Sequence, residues 1–444
     1  MDLSQHTPSP FPARQTTGPA KLFVETTTRC NMACAMCVKQ SPLSHIPEQD
    51  LGLDAFHALA PVLESCTTLI LNGIGEPLLH PDLAAMAAFA REHMPQNSRI
   101  GFQTNGLLLT EDLAEELITA GVNTVCLSVD ALGVDCAREV HGGRHLGRLE
   151  QAMALLRNAA QRSGLPLRLG VELVLMADTV SQLPDTLRWA GEHGADFALA
   201  THLLPHTPDL LDQSLFNPNT PGAEALFTKW RKRAQEKNLD VADNLTGYFR
   251  AVRSPEQDAL KLLVRDMREE ARRNGVWLHL ERLLQWADHD QAELREVFRR
   301  AEETARDLGM ELHLPPLQAK DTRRCDFVED RAMFVAASGE VRPCHFLWHE
   351  YSCYMDGQAK RVLPVSFGNI HSSDQDGLAI WNSPEYANFR EQVLAYDYPY
   401  CSNCSYVPCD DVSGETLPFE YDCLGQTVPC GHCMWCMGGL ACLS

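Results

Sequence analysis

The chain has 444 residues, long enough for two or three domains with sizeable cores, and its 45% apolar and 22% charged residues describe an ordinary globular composition. A formal charge of −21 opposes non-specific binding to nucleic acid or to an anionic membrane surface. No apolar run approaches the roughly 20 residues that cross a bilayer, so neither nucleic acid nor membrane is an expected partner.

Residues 1–19 carry Pro8, Pro10, Pro12 and Pro19 without the apolar stretch of a secretion signal, and read as a disordered tail. From there short strand-like runs alternate with helical ones. Leu22–Thr28 is the first predicted strand, followed by a cysteine loop and a helix near Leu53–Leu63. Thr68–Leu71 is the second strand, with a helix through Asp82–Glu92; Arg99–Gln103 is the third, with a helix from Glu111 to Ala120. Thr124–Val129, Leu167–Leu175 and Phe197–Leu203 follow as strands, with helices at Leu146–Arg162 and Leu183–His193 between them. Six such repeats with short connections predict an α/β fold with a parallel sheet and helices outside it. Right-handed crossovers curl that sheet into a partial (β/α)6 barrel over residues 20–215. Its functional residues are expected at the carboxyl ends of the strands.

Polar and soft groups do fall there. After the first strand comes Cys30-x3-Cys34-x2-Cys37, three thiols that a compact loop can aim at one iron–sulfur cluster. After the second comes Asn72-Gly73-Ile74-Gly75-Glu76-Pro77, where two glycines permit close backbone approach to a ligand beside a carboxylate. Thr104-Asn105-Gly106 follows the third strand, and Ser128 and Asp130 share one face at the end of the fourth. Any one of these also reads as an ordinary βα turn, and the opening cysteines alone also read as a zinc site completed by His45, or as buried thiols.

Beyond the sixth strand the rhythm changes. Residues 205–221 form a long loop, and residues 216–318 read as a mainly helical bridge beginning with a helix over Ala223–Lys237. Ala271–Leu280 and Ala305–Leu314 are quasi-repeats, each a helix ended by glycine and followed by a short strand, with His279 and His313 on those strands. Residues 319–444 form the last predicted domain, opening with a hairpin turned at Ser338-Gly339.

The 17 cysteines are clustered: three sit in the first loop and eleven within residues 325–444, and the odd total fits poorly with a closed disulfide framework. Such clustering without a secretion signal reads as metal ligation in a reducing compartment, so the cytoplasm is expected. Cys325 and Cys344 are spaced C-x13-G-x4-C about Gly339; Cys401, Cys404 and Cys409 follow, then Cys423, Cys430, Cys433, Cys436 and Cys442. The surplus of thiols makes ligation by His345, His349 or His432 unnecessary. A zinc ribbon of Cys401, Cys404, Cys430 and Cys433 is the alternative.

Taken together, residues 20–205 resemble the radical S-adenosylmethionine (SAM) domain. The resemblance implies a SAM-binding [4Fe–4S] cluster on Cys30, Cys34 and Cys37, which act as the catalytic ligands. It implies a SAM contact from Gly73, Gly75, Glu76 and Pro77, with Asn105 and Ser128 nearby, and Arg138 at the SAM carboxylate. Met36 stands where the family usually has an aromatic residue near the adenine. The cysteine-rich end resembles the SPASM extension, which carries auxiliary [4Fe–4S] clusters. That likeness implies one or two such clusters held from Cys325, Cys344, Cys401, Cys404, Cys409, Cys423, Cys430, Cys433 and Cys442. The later spacing departs from the family's, and Ser413 stands where a further cysteine is expected. The roles of Cys353 and Cys436 stay open.

The chemistry implied is reductive cleavage of SAM to a 5′-deoxyadenosyl radical that takes hydrogen from a C–H bond, with flavodoxin or ferredoxin as the reductant. The whole chain also resembles a radical SAM/SPASM group described as metalloenzyme maturases. A peptide or protein substrate modified during maturation is the leading expectation. A small-molecule cofactor precursor such as a tetrapyrrole is the second, and a non-enzymatic iron–sulfur electron carrier is the alternative from another class.

Overall fold

A computed structural model describes residues 18–42, 44–129, 145–243, 254–276, 278, 280–287, 289, 291–322, 324–355, 358–371, 376–395 and 433–443. Residues 1–17, Asp130, Arg138, His279, Cys401, Cys404, Cys409, Cys423, Cys430 and His432, all named above, lie outside the described residues.

Seven parallel strands follow one another in chain order: β1 (Lys21–Val24), β2 (Thr68–Ile70), β3 (Arg99–Thr104), β4 (Thr124–Ser128), β5 (Arg168–Leu175), β6 (Phe197–His202) and β7 (Glu311–His313). On the far side of β1 the sheet continues with β8 (Ala332–Val335), parallel to β1, and β9 (Val341–Arg342), antiparallel to β8. The strands alternate in the way their sequences demand. Leu22, Val24, Leu69, Val125, Leu127, Leu169 and Val171 pack against the outer helices, whereas Phe23, Ile70, Cys126, Phe197 and Phe334 form a cluster of their own. Residues of β1, β2, β4, β6 and β8 meet in that cluster, which a flat sheet would keep apart. The sheet is therefore curled into an open barrel.

The last described residues, 433–443, lie along its open side. The carbonyls of Cys436 and Met437 accept from the Arg324 and Lys320 N–H groups, between β7 and β8. The Gly439 carbonyl accepts from the His202 N–H at the end of β6, 3.0 Å away. Leu443 then packs inside with Phe23, Phe197 and Phe334. Beneath it a cavity of about 200 Å³ opens at the amino ends of the strands, lined by Lys21, Arg168, Phe197, Glu311 and Ala332.

Several expected elements differ in detail. The helix placed near Leu53–Leu63 is two, Leu53–His57 and Ala60–Leu63, because Pro61 can only enter a helix at its first turn. The first strand stops at Val24, and its extension turns away so that Leu51 N–H reaches the Thr26 carbonyl. Of the two quasi-repeats, the second yields a strand among the described residues. Gly309 ends its helix at φ 65° and β7 then pairs with the free edge of β6. Gly275 ends the first at φ 65°, but Leu280–Trp286 is helical, with Leu280 and Leu283 buried against Leu260, Leu263 and Met267 in a separate helical core.

Candidate active site at the carboxyl ends of the strands

The loop after β1 carries Cys30, Cys34 and Cys37, all half-buried thiols. Its turn is set by the Cys37 N–H donating to the Cys34 carbonyl at 3.0 Å. Burial raises the Cys30 and Cys37 thiols above the ordinary range; nearby Glu76 adds to this at Cys30, and Cys30 itself adds to it at Cys37. The opposing cation is Lys39, whose Nζ donates to the Thr28 carbonyl at 2.8 Å. Thiols held protonated by burial become ligands when a metal displaces the proton. Met36 is half-buried in the same loop.

The Gly73–Pro77 loop lies directly against it. The Glu76 N–H donates to the Arg29 carbonyl at 2.8 Å. The Glu76 carboxylate, 3% exposed, accepts from Thr104 Oγ1 (2.6 Å), the Asn105 N–H (2.8 Å) and the Leu78 N–H (3.1 Å). Burial pushes its pKa up and these three donors oppose the shift. Pro77 opens a short 3-10 turn, Pro77–Leu79, capped by that same carboxylate. Asn105 completes the link, its Nδ2 donating to Asn31 Oδ1 of the cysteine loop at 2.8 Å.

The two glycines also seat one loop on the other. A Cβ on Gly75 would stand 2.4 Å from the carbonyl oxygens of both Thr27 and Arg29, and one on Gly73 would stand 2.3 Å from Glu25 Cγ. Their missing side chains make room for the lead-in to the cysteine loop, so they fix one loop on the other. Asn72 Nδ2 donates to Gln103 Oε1 at 3.2 Å while Asn72 Oδ1 is buried without a partner. Ser128 ends β4 half-buried, opposite Glu172 of β5. Three soft thiols and an unsatisfied buried oxygen on adjoining strand ends suit a cluster with a polar organic ligand.

A second group of thiols lies along the seam of the barrel. Burial raises the Cys325 pKa well above its usual value, and Cys433, Cys344 and Cys436 act on it in the same direction. Cys344 is pushed up to about 12 by burial, with Cys433 adding to it. Cys436 thus joins Cys325, Cys344 and Cys433. The sequence signal that marks it is the Cys433-x2-Cys436 pair. Cys442 stands beside this group; Trp435 Nε1 donates to its sulfur at 3.2 Å, and burial holds it at about 12. Cys353 is buried on β10 (Tyr351–Met355), which pairs with β11 (Gln358–Val362) in a hairpin. Among the described residues no three His, Cys, Asp or Glu side chains converge at the spacing of a single metal ion.

Glu25 and His349, both part of this architecture, carried no motif signal. Glu25 is fully buried just beyond β1, and His349 Nε2 meets both its carboxylate oxygens at 2.9 and 3.1 Å.

Comparison with known proteins agrees with the geometry. Residues 24–190 match the radical SAM superfamily, and residues 325–405 match the SPASM iron–sulfur cluster-binding domain. The chain is 26% identical over 420 residues to the tungsten-containing aldehyde ferredoxin oxidoreductase cofactor-modifying protein of Pyrococcus furiosus, covering 93% of this chain and 94% of that one. It is 30% identical over 207 residues to the pre-heme d1 synthase of Dinoroseobacter shibae, covering 46% and 48%. In fold it is similar to SuiB of Streptococcus suis, solved with its precursor peptide SuiA, at a TM-score of 0.50 and 13% identity over 87% of this chain and 70% of that one. The chain is a radical SAM enzyme with a C-terminal SPASM domain, built to work with a [4Fe–4S] cluster, SAM and auxiliary iron–sulfur clusters.

Proposed function

We propose that this enzyme acts in the maturation of a partner oxidoreductase, modifying that partner's organic cofactor at a C–H bond. The observation that carries this reading is the likeness to the Pyrococcus cofactor-modifying protein, which runs through both domains and nearly the full length of each chain. The cluster and SAM, when bound, supply a 5′-deoxyadenosyl radical able to take hydrogen from such a bond. The chain's own residues do the positioning: Cys30, Cys34 and Cys37 hold the cluster, Gly73–Pro77, Asn105 and Ser128 border the SAM cleft, and Asn72 Oδ1 awaits a donor. Cys325, Cys344, Cys433 and Cys436 hold an auxiliary cluster. A flavodoxin or ferredoxin serves as reductant, in the cytoplasm, where thiols stay reduced.

A second reading, a peptide substrate, is supported by the SPASM hairpin of β10 and β11. It lies against the cysteine loop through the Ser41 Oγ, which accepts from the Ser352 N–H at 2.7 Å. The fold shared with peptide-bound SuiB is compatible with it.

One reaction separates the two. Anaerobically reconstituted enzyme, SAM and dithionite are mixed with a tungsten-type aldehyde oxidoreductase isolated without this enzyme's action. Released cofactor and polypeptide are then weighed separately by mass spectrometry. A mass shift in the cofactor, absent with Cys30→Ala, is expected; a shift confined to the polypeptide sinks the cofactor reading in favour of the peptide.

A further inference from the structure

Glu25 is a fully buried carboxylate to which the cluster and SAM chemistry assigns no task. Its partners come from two sides. Oε1 accepts from the Ile74 N–H of the Gly73–Pro77 loop at 3.0 Å, and Oε2 accepts from the Ala337 N–H just beyond β8 at 3.0 Å. His349 Nε2 bridges both oxygens. The guanidinium of Arg342 on β9, 7% exposed, also feels the charge of Glu25. Thus His349 and Arg342, the side chains set against this carboxylate, belong to the C-terminal domain, while the loop it holds belongs to the SAM site. A carboxylate without water depends on such partners, and removing one leaves it free to turn.

The orientation of this carboxylate matters because of what is stacked on it. The space a Gly73 side chain would take is filled by Glu25 itself. One residue on, the Ile74 N–H is tied to it; two further, Gly75 packs on the Thr27 and Arg29 carbonyls and the Glu76 N–H bonds to Arg29. Glu25 is the first contact in a row that registers the SAM loop against the cysteine loop.

We propose that Glu25 and His349 are a positioning pair through which the SPASM domain sets the SAM-binding loop relative to the cluster loop. The proposal rests on the radical SAM assignment and adds to it a dependence of SAM binding on a residue of the other domain. Neither residue touches SAM in this scheme; both act through Ile74 and Gly73.

The test uses the full chain, anaerobically reconstituted. For wild type, His349→Ala, His349→Gln and Glu25→Gln it measures the SAM dissociation constant by equilibrium dialysis, the change in the reduced cluster's EPR spectrum on adding SAM, 5′-deoxyadenosine formation, bound iron and melting temperature. Loss of a hydrogen bond to a charged group predicts about tenfold weaker SAM binding for His349→Ala, with an altered SAM-induced spectrum and unchanged iron. His349→Gln, which keeps an N–H donor, restores most of the affinity. Glu25→Gln, whose amide NH2 must face one of the two backbone N–H groups of Ile74 and Ala337, weakens binding at least as much as His349→Ala. Wild-type SAM affinity and spectrum in His349→Ala overturn the proposal. So does a loss of affinity matched by loss of iron and melting temperature and not rescued by His349→Gln, since that is a purely structural role. Failure of the wild-type enzyme to bind SAM or form 5′-deoxyadenosine would instead overturn the radical SAM reading beneath it.

Discussion

Gly75 and Gly52 show how differently two glycines can matter. The nearest neighbours of a Gly75 Cβ are two backbone carbonyls at 2.4 Å, which cannot rotate aside, whereas a Cβ on Gly52 meets nothing within 4 Å. A side chain at 75 must push the cysteine lead-in away from the SAM loop. Gly75→Ala is expected to lower the rate of 5′-deoxyadenosine formation at least tenfold, while Gly52→Ala leaves it within a factor of two. Parallel anaerobic assays of the two variants check this, and equal rates would count against a fixed register between the loops. The motif Gly73–Pro77 was readable from residue types alone, and so was its nearness to the cysteines. What its glycines face was not, because the clashing atoms come from Glu25, Thr27 and Arg29, some fifty residues earlier in the chain.

At the scale of an element, the end of β6 and the loop after it place two histidines in apolar surroundings. His202, 1% exposed, donates from Nε2 to the Pro316 carbonyl at 2.9 Å and leaves Nδ1 buried without a partner. His206 donates from Nδ1 to the Ser352 carbonyl at 3.2 Å. Burial holds both at about 4, below the ordinary 6.5, with the bonded carbonyl working against that shift. The unfolded chain therefore takes up protons below pH 6.5 that the folded chain refuses until about pH 4, so stability falls as pH drops through that window. Between pH 7.5 and 5.5 each histidine costs about 1.3 kcal/mol. Denaturant midpoints at those two pH values are expected to lie closer together for His206→Gln than for wild type; an unchanged gap would show that His206 charges freely in the folded state. In the sequence His202 falls in the sixth predicted strand and His206 in the long loop after it. Their burial was not legible there: the hairpin of β10 and β11 folds back over His206, with Tyr354 N–H bonded to the Pro205 carbonyl at 2.8 Å, whereas His202 is covered by Pro316 and Phe216.

At the scale of the molecule, the last described segment meets the strands of the barrel. Cys325 precedes β8, Cys344 follows β9, and Cys433 and Cys436 come from the segment along the barrel seam, so a cluster on these four would tie three distant stretches together. Cys436→Ala is expected to lower bound iron by about four per chain after anaerobic reconstitution while leaving the SAM-binding cluster spectrum in place. Iron analysis beside EPR decides it, and a full complement of iron would remove Cys436 from the ligand set. No described helix is long and apolar enough to cross a membrane, in keeping with the sequence.

The βα rhythm and the Cys30–Cys37 spacing are local properties, set by period, turn residues and neighbouring side chains; the rhythm was enough to determine the parallel α/β sheet, and the motifs after its strands carried the resemblance that implies SAM chemistry. Which strands close that sheet was decided only in three dimensions. β7 and β8 are short runs that gain their pairing from the free edges of β6 and β1, and such edges exist only once the barrel has formed. The same holds for the Glu25–His349 pair, whose members stand 324 positions apart in a contact that no local pattern encodes.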